Sequence, residues 1–263
     1  MAGPRIAVVG HVEWVIHTDA PFIPPAGEIV HLTNPLEQPA GGGAVTAVAL
    51  ARMGAEVTFL TAVGTDVPVV SGLEELGVRM RAVERPARHT RALVMRDPSG
   101  ERTIAVIGDN LQPTAADPLP WDLLHEMDGA YFTGSDPATL QLARRARVLV
   151  VAARRFDVLV ASGVTADVLV ASAHDRGEQF DLGRLEHQPR HVVVTNGAAG
   201  GTGYDPVPPP GPVVDAYGAG DTFAAGVTFG LANGDPLPDA LHRGAGAASE
   251  CLTWRGAYPA RSG

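Results

Sequence analysis

The sequence predicts an α/β protein with a doubly wound, mostly parallel sheet, helices on both faces and a small antiparallel β lid. Three observations lead to this prediction. Short apolar runs recur along the chain in the form expected of buried parallel strands. Helical patterns lie between several of these runs. Two other segments have hairpin patterns. We expect a single domain over residues 1–263.

The predicted strands of the main sheet are short and rich in Val, Leu and Ala. They cover Arg5–Gly10, residues 57–63, 129–132, 147–151, 158–161 and 168–171, and His191–Thr195. Predicted helices cover residues 44–53, 67–76, 137–146 and 181–186. Strands that alternate with helices favour a parallel sheet with both faces covered.

Two segments are predicted to form the β lid. Segment 91–107 contains Asp97-Pro98-Ser99-Gly100, which places favoured residues in a type I turn. Segment 12–33 is predicted to contain strands over residues 12–18 and 28–33. Exposed strand edges need covering, so we expect these segments to form a lid over the substrate, shared between the two subunits of a homodimer.

The amino-acid composition limits the kinds of protein that this chain can be. The 263 residues are 45% hydrophobic, enough for a full core, but no apolar stretch approaches the ~20 residues of a membrane span. A net charge of −9 argues against a nucleic-acid partner. The single cysteine, Cys251, cannot form an intramolecular disulfide. We expect a cytoplasmic protein with no membrane partner.

The basic residues exclude several enzyme classes. All 20 are arginine, so the chain lacks the lysine of a Walker P-loop, of a protein kinase and of a pyridoxal enzyme. Any phosphate must be bound by backbone amides and arginine. The densest basic group, Arg144, Arg145, Arg147, Arg154 and Arg155, is interpreted as a solvated helix end and loop.

The segment VVDAYGAGDTFAAG, residues 213–226, carries the strongest chemical signal. A glycine turn at Gly218-Ala219-Gly220 feeds a helix, and backbone amides at a helix N-terminus favour an anion. Asp221 lies in the first turn of that helix. Its carboxylate either accepts a proton from an attacking hydroxyl or caps the helix, and the residues alone leave both roles open.

The segment DAYGAGDTF, residues 215–223, resembles the second signature of the PfkB (ribokinase-like) carbohydrate kinase family, D-T-x-G-A-G-D-x-F. The resemblance implies ATP-dependent phosphoryl transfer to a hydroxyl of a sugar, nucleoside or related small molecule. It makes Gly218, Ala219 and Gly220 the anion hole and Asp221 the base. It also suggests a monovalent cation near Asp215, although Ala216-Tyr217 replaces the usual Thr-Thr pair.

Three further segments resemble elements of the same family. Gly41 and Gly42, which precede a helix, match the first signature and imply substrate contacts. The run His191–Thr195 with the following glycines is similar to the T-x-G-x-x-G loop and assigns ATP binding to Thr195, Gly197 and Gly200. Glu178, with Asp175 second, stands where the family organises Mg²⁺. Residues 254–259 resemble the closing region.

The expected sugar pocket departs from the family pattern. Val15 and Val45 stand where relatives have a hydroxyl-binding Asp and Asn, and Glu13 is the candidate replacement. A hydroxyl facing Val15 would lose water without gaining a partner, which favours a substrate with an apolar portion. The alternative function is a catalytically weak ligand-binding or regulatory protein on a kinase scaffold. A dinucleotide oxidoreductase is disfavoured because Gly10-His-Val-Glu lacks G-x-G-x-x-G.

Overall fold

The computed structural model describes residues 3–259, so residues 1–2 and 260–263 of the predicted domain lie outside the described residues. The strands are β1 Arg5–Gly10, β2 Glu13–Asp19, β3 Thr33–Ala40, β4 Glu56–Val63, β5 Arg79–Glu84, β6 Arg91–Arg96, β7 Arg102–Ile107, β8 Gly129–Thr133, β9 Val148–Ala152, β10 Val168–Ser172 and β11 His191–Thr195. The helices are α1 Gly42–Arg52, α2 Val69–Glu74, α3 Pro137–Ala143, α4 Phe156–Ser162, α5 Ala219–Asn233 and α6 Leu237–Cys251.

The main sheet has seven strands in the order β11-β10-β9-β8-β1-β4-β5, and every pair in it is parallel. This confirms the predicted doubly wound fold. The chain leaves β1 in one direction towards β4 and β5, and returns to build β8 to β11 on the other side. The reversal lies between β1 and β8, where a doubly wound sheet opens a crevice at its carboxyl edge.

Side-chain alternation along β1 divides the core into two layers. Ile6 and Val8 face a cluster that includes residues of α1 and α5. Ala7 and Val9 face the opposite cluster, with residues of α3 and α4. All four are fully buried, as expected for a central strand that is covered on both faces. Among the described residues no helix is long and apolar enough to cross a membrane.

A second sheet of four strands has the order β3-β2-β6-β7. The predicted hairpin in segment 91–107 is confirmed, since β6 and β7 pair antiparallel and the Gly100 amide donates to the Asp97 carbonyl. The prediction for segment 12–33 is partly wrong. Its first strand forms as β2, but residues 28–32 lie outside any strand and the partner is β3, at Thr33–Ala40. Because β2 pairs with β6 in parallel, this sheet is mixed.

Two other predicted elements are wrong. Residues 158–161 form part of helix α4, because Phe156, Leu159 and Ser162 bury one helical face and Gly163 ends the helix with φ +66°. A short apolar run is compatible with either a strand or a buried helix. The helix predicted over residues 181–186 is a single 3₁₀ turn at Leu182–Arg184, which the Asp181 side chain caps.

Candidate active site

A cavity of about 960 Å³ opens at the carboxyl edge of the main sheet. Its lining includes His11 after β1, Thr133 at the end of β8 and Ser172 at the end of β10. Ile104 and Val106 of β7 line it from the second sheet. The structure therefore places one predicted lid strand and the crevice of the main sheet around one space.

The glycine turn and the first turn of α5 form one wall of this cavity. Gly218 adopts φ +77°, and a Cβ there would lie 2.9 Å from Cγ1 of Val45, so both conformation and packing require glycine. The Thr222 amide donates to the Gly218 carbonyl, which starts the helix. Within residues 3–259 no backbone acceptor takes the amides of Gly220 and Asp221. These two amides are available to an anion.

Asp221 lines the same wall. Burial, followed by the negative charge of Glu178, raises the pKa of Asp221 to about 7 from its ordinary 3.8. Its carboxylate lies directly against Gly42, since a Cβ on that glycine would be only 2.9 Å from Oδ1 of Asp221. The Thr46 hydroxyl donates to the backbone carbonyl of Asp221 at 3.3 Å rather than to its side chain. The carboxylate is therefore held at the start of α1 in a setting that favours its protonated form.

The predicted substrate residues lie together beside Asp221. Gly41 has φ +83°, and a Cβ there would lie 3.3 Å from Oε2 of Glu13. The Gly41 amide donates to the Tyr217 hydroxyl at 3.2 Å, which ties the start of α1 to the glycine turn. Burial raises the pKa of Glu13. We call the group Glu13, Gly41, Gly42 and Asp221 the acceptor side of the cavity.

Val15 and Val45 do not face this cavity. Val15 is fully buried in the core, and Val45 packs against the glycine turn. The predicted contact between a substrate hydroxyl and Val15 is therefore wrong in this structure. Strand alternation places Glu13 and Val15 on the same face of β2, but only Glu13 reaches the cavity.

The predicted nucleotide residues lie at and just after the end of β11, and they differ in their access to the cavity. Thr195 lines it, and its hydroxyl donates to the Ala171 carbonyl at 3.3 Å. A Cβ on Gly197 would lie 3.8 Å from Nε2 of the cavity-lining His174. Gly200 is not among the lining residues, because its carbonyl accepts the Asn196 amide and the Tyr204 hydroxyl in a tight turn. We call His174, Glu178, Thr195 and Gly197 the nucleotide side.

The two predicted metal residues differ in their availability. Glu178 lines the cavity and accepts the Ser172 amide at 2.7 Å, and burial raises its pKa. Asp175 is already occupied, because it accepts the Gly177 amide and pairs with Arg154. The described residues contain no group of three or more His, Cys, Asp or Glu side chains that could hold a metal by themselves. Glu178 alone fits a hydrated Mg²⁺ that is bound mainly by phosphate and water.

Asp215 is buried, and both of its carboxylate oxygens accept backbone hydrogen bonds. Its two oxygens accept the amides of Tyr217 and Gly256, each at 3.0 Å. The carbonyl of Tyr217 accepts the thiol of Cys251 at 3.4 Å. A monovalent cation near Asp215 stays a prediction.

Sequence reasoning missed several cavity residues, and two of them come from the basic group. Arg154 and Arg155 follow β9 at the carboxyl edge and line the cavity; Arg154 is exposed to solvent, as interpreted, whereas Arg155 is partly buried. Arg144 does lie at a helix end, where it pairs with Asp167. Their position in the sequence could have identified them, because residues that directly follow parallel strands lie at the crevice of the sheet.

Comparison with known proteins places this site in context. A model described as pfkB family carbohydrate kinase matches residues 4–161 and 178–262. The acarbose 7(IV)-phosphotransferase of Actinoplanes sp. is 42% identical over 74 residues, which are 24% of this chain and 25% of that protein. The chain therefore matches about a quarter of the length of that relative.

Two solved structures resemble the chain over nearly its whole length. Ribokinase of Arabidopsis thaliana, solved with ribose and ATP, gives a TM-score of 0.76 at 20% identity and covers 98% of this chain and 96% of that one. Phosphofructokinase-2 of Escherichia coli, solved with potassium, gives 0.72 at 21% identity and covers 98% and 94%. At these identities the likeness shows a shared fold.

Proposed function

The chain belongs to the pfkB family of carbohydrate kinases, and from that premise we propose that it transfers the terminal phosphate of ATP to a hydroxyl of a sugar, nucleoside or related small molecule. One observation carries the proposal. Asp221 lines the cavity directly behind a glycine turn, beside two helix amides that no backbone acceptor takes within the described residues. A proton acceptor and an anion site are therefore adjacent, as phosphoryl transfer to a hydroxyl requires.

Asp221 acts as the general base in this proposal. A hydroxyl bound between Glu13 and Gly42 lies next to its carboxylate, which accepts the proton as the oxygen attacks phosphorus. A pKa of about 7 places the carboxylate near the pH at which a base works best. The alternative role of this aspartate is to cap the helix, but among the described residues the hydrogen bond at Asp221 goes to its backbone carbonyl and not to its carboxylate.

The glycine turn binds the transferred phosphoryl group. The amides of Gly220 and Asp221 are directed by the start of α5, where the helix dipole adds positive potential. Gly218 and Ala219 shape the turn, and the Ala219 amide already donates to the Ala216 carbonyl at 3.3 Å. The anion hole predicted from Gly218, Ala219 and Gly220 is thus centred on Gly220 and the following amide.

ATP is placed on the nucleotide side, with its phosphates directed at the glycine turn. Thr195 borders that path and Gly197 lies beside the cavity-lining His174, whereas Gly200 supports it by fixing the turn that follows β11. Magnesium, when bound with ATP, neutralises phosphate charge. Glu178 is the residue that would hold it, because it lines the cavity and, among the described residues, has no ion-pair partner.

Asp221→Asn tests the proposal. The amide cannot accept the proton, so we expect turnover to fall by about 10²- to 10⁴-fold while ATP affinity measured by calorimetry changes little. Phosphate transfer is measured with ATP and a library of hydroxyl compounds. An Asp221→Asn enzyme with the turnover of the parent protein would show that another group takes the proton.

The second sheet is proposed to cover the substrate and to pair with a second copy of the chain. Strand β7 forms its edge, and Ile104, Val106 and Ile107 are each about half exposed. An edge strand with exposed apolar side chains favours association. Light scattering of the purified protein should give the mass of a dimer, and the mass of a monomer would contradict the shared lid.

A further inference from the structure

Two neighbouring arginines that follow β9 have different partners. Arg154 forms an ion pair with Asp175 on the nucleotide side. Arg155 instead donates from Nε to the Thr133 carbonyl at 2.9 Å, and its terminal nitrogen lies 3.4 Å from Nδ1 of His11. In the part of the chain that the structure describes, no acidic side chain lies within ion-pair distance of Arg155.

The position of Arg155 makes this lack of an acidic partner costly. The side chain is partly buried, and burial lowers the pKa of its guanidinium, although the group remains charged. Glu13 influences it only at longer range. A buried charge without a counter-charge is unfavourable in the unliganded protein and becomes favourable when an anion binds.

The two contacts of Arg155 place it on the acceptor side. Thr133 ends β8 and His11 follows β1, so the guanidinium is anchored at the crevice between these two strands. A Cβ on Gly42 would lie 3.8 Å from Oγ1 of the same Thr133 and 2.9 Å from Oδ1 of Asp221. Arg155 is therefore anchored through the same residue that borders the base.

A second arginine reaches the cavity from the second sheet. Arg102 of β7 lines it, and its charge acts on both Asp221 and Tyr217. Arg102 is exposed to solvent, unlike Arg155, and within the described residues it too has no acidic side chain at ion-pair distance. With a net charge of −9, the protein as a whole repels anions, so an anionic ligand needs dedicated cations of this kind.

We propose that the substrate phosphorylated by this protein carries an anionic group, a carboxylate or a phosphate, and that Arg155 and Arg102 bind that group. The inference rests on the proposed kinase function and specifies its acceptor. Planar guanidinium groups suit both anions, because each presents two oxygens that accept paired N–H bonds. A neutral sugar, by contrast, would leave both arginines without a counter-charge when it binds.

The experiment compares neutral compounds with their anionic counterparts. The neutral set is ribose, fructose and glucitol, and the anionic set is ribose 5-phosphate, fructose 6-phosphate and gluconate. We expect at least one anionic compound to exceed its neutral counterpart by about 10- to 100-fold in kcat/KM, the effect expected of a charge-assisted pair. A preference for the sugar phosphates would identify the anionic group as a phosphate, and a preference for gluconate would identify it as a carboxylate.

Arg155→Gln should remove most of that preference by raising the acceptor KM, with little change in the KM for ATP. Arg79→Gln makes the same change of charge on β5, where Arg79 is exposed and outside the cavity, and should alter neither value. If Arg155→Gln does not fold, as judged by circular dichroism, Arg102→Gln on the exposed strand β7 provides the same comparison.

Calorimetry in the presence of ADP measures acceptor binding without turnover, so the two proposals can fail separately. No phosphorylation of any compound would count against the kinase function, whereas tighter binding of an anionic compound, lost in Arg155→Gln, would still support the anion site. Neutral compounds that bind as well as all the anionic ones would overturn the inference. So would an Arg155→Gln protein that loses ATP affinity and keeps its acceptor KM.

Discussion

The two sides of the cavity are built in different ways. On the acceptor side, Gly42 and Asp221 meet from helices that are far apart in the chain, and Gly43 packs directly against His11 and Phe59. On the nucleotide side, Glu178 is fixed by a near neighbour in sequence, the Ser172 amide, although Thr195 also donates to the Ala171 carbonyl of the adjacent strand. The core therefore determines the acceptor geometry, whereas local turns contribute more to the nucleotide geometry. Substitutions should be tolerated less well on the acceptor side.

Gly42→Ala tests the acceptor side of this comparison and should have the largest effect. The added Cβ would lie 2.9 Å from Oδ1 of Asp221, so the carboxylate must turn away while the backbone stays in place. A base displaced by about 1 Å costs on the order of 10²-fold in rate, and we expect that loss in kcat. Steady-state kinetics with the best acceptor measure it.

The adjacent position supplies the contrast. Gly43→Ala would place a Cβ 2.5 Å from the His11 carbonyl oxygen and 2.8 Å from the Phe59 ring, which are packed core atoms. We expect it to lower the free energy of unfolding by about 1–3 kcal/mol. If Gly42→Ala instead lost stability and kept its kcat, the contact with Asp221 would not control catalysis.

Asp221 should also give the acceptor side a pH-dependent stability. Its pKa rises from 3.8 to about 7 on folding, so the folded protein binds this proton more tightly than the unfolded chain. The contribution to stability therefore falls as pH rises between these values and is lowest above pH 7. Asp221→Asn removes the penalty and should raise the free energy of unfolding at pH 8.5 by about 1–3 kcal/mol, but not at pH 4.

Denaturant unfolding of both proteins at the two pH values measures this difference. Asp122→Asn is a suitable control, because Asp122 is fully exposed on the surface. An Asp221→Asn protein that is equally stable or less stable than its parent at pH 8.5 would show that burial does not disfavour the carboxylate.

Gly220→Ala tests the boundary between the two sides. A Cβ at Gly220 would meet no atom within 4 Å, and no positive φ requires glycine there, so the fold should tolerate alanine. The methyl group would extend into the space in front of the free amides, and we expect ATP affinity to fall by about 10-fold. Calorimetry measures it.

Gly246→Ala is the matched control, because Gly246 is also helical with no atom within 4 Å of an added Cβ. It should leave ATP affinity unchanged and stabilise α6 slightly. Equal ATP affinity in the Gly220→Ala and parent proteins would remove the glycine turn as the phosphate site.

The sequence predicts the parallel sheet well because buried strands leave a strong local pattern. A glycine turn before a helix favours an anion and makes Asp221 a candidate, and its role as the base, which the resemblance to the PfkB signature implies, stays a prediction. Two kinds of feature escape such reasoning. The run at residues 158–161 is apolar in either conformation, and only its packing against the core makes it a helix.

Long-range contacts are the second kind. The triplet Gly41-Gly42-Gly43 is a weak signal by itself, yet each glycine answers a different constraint: positive φ, the carboxylate of Asp221, and core packing. Similarly, Arg154 and Arg155 look equivalent in sequence, and only the tertiary structure gives one of them an acidic partner. Such differences depend on residues more than 20 positions away.

The smallest effect is expected on the nucleotide side, from Glu178→Gln. The side chain accepts the Ser172 amide through Oε2, and the amide oxygen of glutamine can keep that bond, so the loop should stay in place. Losing one carboxylate from a site that phosphate and water otherwise complete should raise the Mg²⁺ concentration for half-maximal activity by about 3- to 10-fold. Asp175→Asn should change it less, because Asp175 is already paired with Arg154. Magnesium titrations of both variants at saturating ATP decide the assignment. A larger shift in Asp175→Asn would assign the metal to that residue. It would also show that the ion pair with Arg154 does not keep Asp175 from binding Mg²⁺.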